Sequence, residues 1–201
     1  MKKLKIGQSE KELLFRNQFL EFFTKTNVLQ AIIIYGINWL GLLYFHFKSS
    51  NLSIIENVLI YLFAILSWSL FEYLAHRYLF HFVNESLWVK KIHYFIHGIH
   101  HQFPRDAERL IMPSLPGLIV IWVLFNLFNL ILGEYSYLFL AGFINGWAIY
   151  VTIHYLIHAF QPIPGFKTLW THHAKHHYDR GDRAFGVSSP FWDYIFGTLP
   201  N

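Results

Sequence analysis

Four apolar runs, each long enough to cross a lipid bilayer, dominate this 201-residue chain. They cover about residues 28–47, 53–76, 115–133 and 137–159. A bilayer core takes roughly 20 helical residues. Inside it the backbone has no water to bond, so a lipid-exposed span has to be helical. Ser53-x-x-Glu56 reads as a capping box opening the second run. Pro113 and Pro116 lead into the third, and Gly133 ends it. The connectors near 48–52 and 134–136 are too short for anything but tight turns, so the runs pair as two helical hairpins. Only 14% of the chain is charged, against 54% hydrophobic and 20% aromatic; a soluble domain carries about a quarter charged residues. The expected fold class is therefore all-α and integral to a membrane, with four transmembrane helices.

Basic residues orient the spans. Lys2, Lys3, Lys5, Lys11, Arg16 and Lys25 precede the first. Arg77, Lys90, Lys91, Arg105 and Arg109 lie between the hairpins, and Lys167, Lys175, Arg180 and Arg183 follow the last. The hairpin tips hold only Lys48. Both termini and the central segment are thus expected on the cytoplasmic side. The net charge of +4 follows the spans and does not point to nucleic acid. The first apolar run begins too far in, and is too long, for a signal peptide. Ser9-x-x-Glu12 reads as a second capping box, and Leu13, Leu14, Phe15, Phe19, Leu20, Phe22 and Phe23 form a broad apolar face. Residues 1–27 are read as an interfacial helix lying on the membrane, with a partner-docking surface as the alternative, and 28–201 as one membrane-embedded domain. Asn38, Asn126, Asn129 and Asn145, at membrane depth, are expected to bond between helices, and Gly142-x-x-x-Gly146 matches a close-packing motif.

Ten of the thirteen histidines form four clusters: His76 and His81; His97, His100 and His101; His154 and His158; His173, His176 and His177. There is no cysteine, which excludes thiolate sites and leaves imidazole and carboxylate as ligands. His154 and His158 lie one helical turn apart and point the same way; so do His97 and His101, and His173 and His177. Helical neighbours such as His100 and His101 diverge by about 100°, so each would reach a different cation, and the doubled HxxHH pattern favours a dinuclear site. His76 and His81 are five apart, which a regular helix would splay; a helix end or bulge is expected between them. Ten ligands give each cation about five nitrogens and leave room for an exogenous ligand. Glu72, Asp106, Asp179, Asp182 and Asp193 lie near the clusters as candidates to orient imidazoles. His93 stacks one turn before His97; His46 and His172 carry no assigned role. The Glu-x-x-His motif of soluble di-iron bundles is missing.

Taken in order, these residues resemble the fatty acid hydroxylase superfamily, and most closely its fatty acid 2-hydroxylases. The resemblance runs from about residue 68 to the C-terminus. It rests on the stretch Ser67 to Phe82 containing Glu72, His76 and His81, on His93 to Asp106, on Tyr150-x3-His154-x3-His158, on His173-x2-His176-His177-Tyr178 and on Gly186 to Thr198. It implies a cytoplasmic helical cap carrying two metals, with His76, His81, His97, His100, His101, His154, His158, His173, His176 and His177 as ligands. It implies iron as the working metal, with zinc able to occupy a preparation. It also implies hydroxylation of a lipid acyl chain, at the carbon next to the carbonyl, with dioxygen as co-substrate and two external electrons. The chain leaves no room for the cytochrome b5 domain of many relatives. A separate donor of ferredoxin or cytochrome b5 type, with its reductase, is therefore expected. That compact form suggests a bacterial inner membrane, or the endoplasmic reticulum if the source is eukaryotic. Val151 departs from the acidic residue often found at its position, which puts ceramide-type head-group recognition in doubt.

The alternatives within the superfamily are carotenoid and sterol-type hydroxylases or desaturases. The three-residue spacing of His154 and His158 and the four-residue spacing of His76 and His81 favour the acyl branch. A metal transporter would place its polar groups near the bilayer midplane, where the first and third runs carry no charge. A structural zinc site needs only four ligands.

Overall fold

The computed structural model describes residues 13–179 and 183–200. Its regular elements there are all helical: α1 (Gln18–Phe22), α2 (Val28–Ser49), α3 (Ile54–Ala75), α4 (Leu87–His93), α5 (Ile99–Gln102), α6 (Ser114–Leu132), α7 (Ser136–Ala159), α8 (Lys167–Tyr178) and α9 (Phe191–Ile195). The chain divides into two compact units, with the boundaries falling inside α3 at Ser69 and inside α7 at Tyr150.

One unit holds residues 15–68 and 111–149. The capping box read at Ser53 is present: Glu56 accepts from the Ser53 backbone N–H at 2.8 Å, and Ser53 Oγ accepts from Glu56 N–H at 3.3 Å. Asn27 caps α2 by accepting from Gln30 N–H at 2.8 Å. Tyr61 ties three helices together, its hydroxyl accepting from Trp39 Nε1 at 3.0 Å and from Asn145 Nδ2 at 2.7 Å. His46, buried near the end of α2, meets Asn57 Oδ1 at 2.6 Å.

α6 and α7 form the second hairpin. The rings of Phe128 and Phe139 are 4.9 Å apart and those of Phe128 and Phe143 are 5.4 Å apart. In one straight helix, at about 1.5 Å per residue, such pairs would stand well over 15 Å apart. The reversal occurs in the 3₁₀ turn Gly133–Tyr135, where Gly133 takes φ +57°, a conformation that costs glycine little. The close-packing motif is real. A Cβ on Gly142 would lie 2.7 Å from the Tyr61 carbonyl oxygen, and one on Gly146 would lie 2.6 Å from Trp68 Cβ. Three helical stretches are long and apolar enough to cross a membrane: Val28–Ser49, Ile54–Phe80 and Ala107–Ala159, the last containing both α6 and α7. Their outward residues are large and apolar, Leu130 being 84% exposed and Ile131 67%. A soluble protein does not present such surfaces over whole helices; lipid does not penalise them.

Two expectations need correction here. Asn38 and Asn126 do not bond between helices; each donates to the carbonyl four residues back on its own helix, Ile34 at 2.8 Å and Trp122 at 2.7 Å. An amide with only apolar neighbours finds its nearest acceptor in its own backbone. The N-terminal helix does not run through Leu13 either. It starts at Gln18, because Asn17 caps it by accepting from the N–H groups of Phe19 and Leu20. The Ser9 capping box lies outside the described residues.

The other unit holds residues 69–110 and 150–200. Trp170, Ile157 and Val187 form its apolar cluster. Two π-helical turns interrupt the helices, at His76–Phe80 and Tyr94–Gly98. Residues 183–188 form a strap without helix, tied down at one end by Ala184 N–H to the Thr198 carbonyl at 2.8 Å.

Candidate metal centre

The ten clustered histidines all belong to the second unit, and their side chains converge as two sets of five. His76, His81, His97, His101 and His176 form one; His100, His154, His158, His173 and His177 form the other. The ligand atoms within each set lie within 4.8 Å of one another.

Local structure explains the convergence. The π turn after α3 closes with His81 N–H bonding the His76 carbonyl at 3.2 Å. One extra residue in the turn brings side chains five apart onto one face, so the bulge anticipated between them is there. In the two HxxHH segments the outer histidines pair at i,i+4 and the middle one crosses over. His97 and His101 join the first set and His100 the second; His173 and His177 join the second and His176 the first. Adjacent helical residues thus serve different sets, as the roughly 100° divergence requires.

In the first set the Nε2 atoms close a ring: His76 to His97 at 3.0 Å, His97 to His101 at 2.9 Å, His101 to His176 at 3.2 Å, His176 to His81 at 3.0 Å, and His81 back to His76 at 3.3 Å. In the second they form a chain from His100 to His154 at 3.0 Å, His158 at 3.1 Å, His173 at 2.9 Å and His177 at 3.0 Å. Two nitrogens bound about 2.1 Å from one cation, at right angles, stand about 3.0 Å apart. The observed separations match that figure.

Hydrogen bonds fix the chemistry of two rings. His76 Nδ1 donates to the Phe185 carbonyl, and His176 Nδ1 donates to the Arg183 carbonyl at 3.0 Å. A carbonyl only accepts, so Nδ1 carries the proton and Nε2 presents its lone pair inward. These two Nε2 atoms present lone pairs to the space between the rings, where a cation could accept them. Burial, reinforced by the positive charge that neighbouring rings would carry, pushes His81 down to about 3 and His101 to about 4. The same causes hold His97, His100, His173 and His177 below the ordinary histidine value. Burial thus favours the neutral form of these six rings, the form that binds metal. The donor set fits a pair of transition-metal cations, such as iron or zinc.

Aromatic rings pack against both sets, Phe185 on the first and Tyr150 on the second. Phe185, 1% exposed, lies 5.8 Å from His76, 5.6 Å from His81 and 5.8 Å from His176. Tyr150 stacks on His154 at 5.6 Å.

The acidic candidates fall out differently. Asp193 is fully buried and accepts from His172 Nε2 at 3.0 Å, Phe185 N–H at 2.9 Å, Gly186 N–H at 2.7 Å and Thr198 Oγ1 at 2.7 Å. Burial alone would raise its carboxyl, but those four donors hold it below the usual value. Glu72 accepts from the N–H groups of Val187 at 2.8 Å and Ser188 at 2.9 Å, and from Ser188 Oγ. Asp106 pairs with Arg109, Asp179 is an exposed C-cap of α8, and Asp182 lies outside the described residues. Neither Glu72 nor Asp193 touches a clustered imidazole in these contacts; both hold the strap. His172, which carried no assignment, is Asp193's partner. His93 packs against Gly98, its ring 6.4 Å from His81. The strap escaped the sequence reading because its contribution is made by backbone carbonyls; the glycine at 186 was its one visible sign.

Long apolar helices together with histidine clusters able to bind metal define a helical membrane protein built around a metal-binding cage. The fatty acid hydroxylase family model matches residues 61–198, and this chain belongs to that family. It is 36% identical over 191 residues to a dihydroceramide fatty acyl 2-hydroxylase of Arabidopsis thaliana, covering 92% of this chain and 79% of that protein. Against a fatty acid 2-hydroxylase of Rattus norvegicus it is 31% identical, covering 92% of this chain and 56% of the other. Among solved structures it is similar to full-length Scs7p, of which only the hydroxylase domain is visible. The TM-score is 0.85 at 31% identity, covering 94% of this chain and 72% of that one. The family is one of oxidoreductases, so the chain is an enzyme and the transporter reading falls away. These relatives are eukaryotic and lend no support to a bacterial inner membrane.

Proposed function

We propose that this protein hydroxylates the acyl chain of a membrane lipid at C2, using dioxygen and two electrons from a separate donor of ferredoxin or cytochrome b5 type. The overall change inserts one oxygen atom into a C–H bond; the second oxygen takes up the two electrons and two protons and leaves as water. The observation that carries the proposal is the convergence of ten imidazoles into two sets of five, the ligand atoms of each within 4.8 Å of one another. His76, His81, His97, His101 and His176 would hold one cation, and His100, His154, His158, His173 and His177 the other. The bound pair supplies oxygen activation, which requires a redox metal such as iron, since zinc has no redox chemistry.

The chain's own residues do the rest. The π turn and the i,i+4 pairs aim the lone pairs inward. The carbonyls of Phe185 and Arg183 hold two rings in the ligating tautomer. Phe185 and Tyr150 exclude water beside the cage, which protects a reactive centre from side reactions. Four spans, α2, α3, α6 and α7, would cross the membrane with both termini on the cytoplasmic side, and residues 1–27 would lie along its surface.

Lipid mass spectrometry tests the reading. Cells expressing the intact chain with a competent reductase should accumulate acyl chains heavier by one oxygen, located at C2 by fragmentation, and labelled when grown under isotopically heavy dioxygen. A His176→Ala variant should produce none. Unlabelled product, or no oxygenated lipid from the intact chain, would rule the assignment out.

A further inference from the structure

The strap places one peptide group between a buried carboxylate and a cage imidazole. Asp193 Oδ2 accepts from Gly186 N–H at 2.7 Å. The carbonyl of that same peptide unit belongs to Phe185, and it accepts from His76 Nδ1. Carboxylate, peptide and imidazole are thus connected in series, and His76 Nε2 faces into the first set. A negative charge on the N–H side polarises the peptide and makes its carbonyl a stronger acceptor. A stronger acceptor at Nδ1–H makes Nε2 a more basic donor and fixes the ring's orientation.

Three further features belong to the same device. Residue 186 has to be glycine, because a Cβ there would lie 2.9 Å from Asp193 Oδ2 and would also collide with the Ser189 carbonyl. Asp193's other oxygen takes Phe185 N–H at 2.9 Å and Thr198 Oγ1 at 2.7 Å, so the carboxylate cannot rotate out of line. On the far side of Gly186, Glu72 accepts from the N–H groups of Val187 and Ser188. The strap is clamped at both ends by buried carboxylates. Its two carbonyl contacts, from Phe185 and Arg183, both go to the first set.

We propose that Asp193 is a positioning residue that acts through the Gly186 peptide on His76 and, with Glu72 clamping the strap, selectively tightens cation binding by the first histidine set. This rests on the ligand assignment above. The two cations are then unequal in their dependence on the strap, and loosening it releases one before the other.

The test uses purified full-length protein in detergent, loaded with zinc, with bound metal per chain measured by atomic emission and release to a chelator followed in time. Asp193→Asn sets an amide NH2 against one of two backbone N–H donors, because Phe185 and Gly186 bond different carboxylate oxygens, and Glu72→Ala removes the oxygen that accepts from both Val187 and Ser188. Each should accelerate one kinetic phase of release by about tenfold, the lower end of the range for groups that support a metal ligand, and leave the other phase unchanged. Placed in a His154→Ala background, Asp193→Asn should accelerate release of the remaining metal; in a His76→Ala background it should add no further acceleration. Gly142→Val, an overpacking change in the other compact unit, should lower melting temperature without separating the two phases. Equal acceleration of both phases, or of neither, overturns the relay. An intact chain that retains no zinc overturns the ligand assignment, and the relay with it.

Discussion

Replacing Asp106 by alanine should be among the most damaging single changes outside the cage. Asp106 and Arg109 form an ion pair of 3.1 Å with side chains only 2% and 4% exposed. The carboxylate also accepts from Glu108 N–H at 3.2 Å. This turn follows directly on α5, which presents His100 and His101, and it is closed by Asp106 N–H to the Phe103 carbonyl at 3.0 Å. Removing the carboxylate breaks a buried ion pair from one side, which costs about 3–5 kcal/mol. For a chain of this length each kcal/mol moves the melting temperature by about 2–4 °C, so a fall on the order of 10 °C is expected. The assay is thermal unfolding in detergent, followed by size-exclusion recovery after heating. The distinguishing variant is Asp106→Ala with Arg109→Met, which removes the charge and keeps an apolar stem of similar reach. Since a buried pair exchanged for apolar groups is often nearly neutral, the double variant should recover most of the loss. If it melts as low as the single variant, the damage comes from the turn and the broken-pair reasoning is wrong.

Gly142→Val should destabilise by about 1–3 kcal/mol, the usual range for overpacking, because its Cβ would stand 2.7 Å from the Tyr61 carbonyl oxygen and 2.8 Å from Ala64 Cβ; a lower melting temperature at unchanged metal content checks it. Chelation should abolish hydroxylation, and ferrous iron should restore it where zinc does not. The metal-free protein should lose stability as pH falls below about 6.5, the unfolded histidine value. Between there and the folded values near 4 for His101 and 3 for His81 the unfolded chain binds protons that the native cage refuses. Unfolding curves recorded from pH 7.5 to 4.5 should show the midpoint falling with pH, and a flat or rising profile would contradict the neutral cage.

The long apolar helices were legible because length and composition alone mark them: Val28–Ser49, Ile54–Ala75, Ser114–Leu132 and Ser136–Ala159 fall within a few residues of the apolar runs. The histidine clusters were legible because i,i+4 spacing puts side chains on one face whatever surrounds them. The irregular spacing of His76 and His81 demanded a break in the helix, and the π turn supplies it. The second π turn, at Tyr94–Gly98, left no such sign, since His97 and His101 already satisfy helical periodicity. Other features depend on contacts between segments distant in sequence, which spacing does not encode. His172 finds Asp193 21 residues on, and Glu72 finds Val187 and Ser188 more than a hundred residues on. The asparagines at 38 and 126 were misread for a related reason: composition shows a polar group at membrane depth but not which acceptor is nearest.

The strap also bears on the charge of the cage. Soluble di-iron bundles place glutamates directly on the metals, so the ligands themselves offset much of the cationic charge. Ten neutral imidazoles offset none of it. Here one buried carboxylate, Asp193, stands one peptide back from a cage imidazole. Asp193 is held ionised by four donors, and Glu72 accepts from two consecutive backbone N–H groups of the same segment. Negative charge at that remove stabilises a cation without occupying a coordination position, because the intervening peptide dipole and imidazole carry its influence inward. The coordination positions not taken by imidazole then stay open to an exogenous ligand. A carboxylate moved forward onto a cation would compete for that opening, and a carboxylate removed altogether would leave the cage's charge uncompensated in an apolar setting. A glycine at 186 is what allows the carboxylate to sit at this intermediate distance, because a Cβ there would meet both Asp193 Oδ2 and the Ser189 carbonyl.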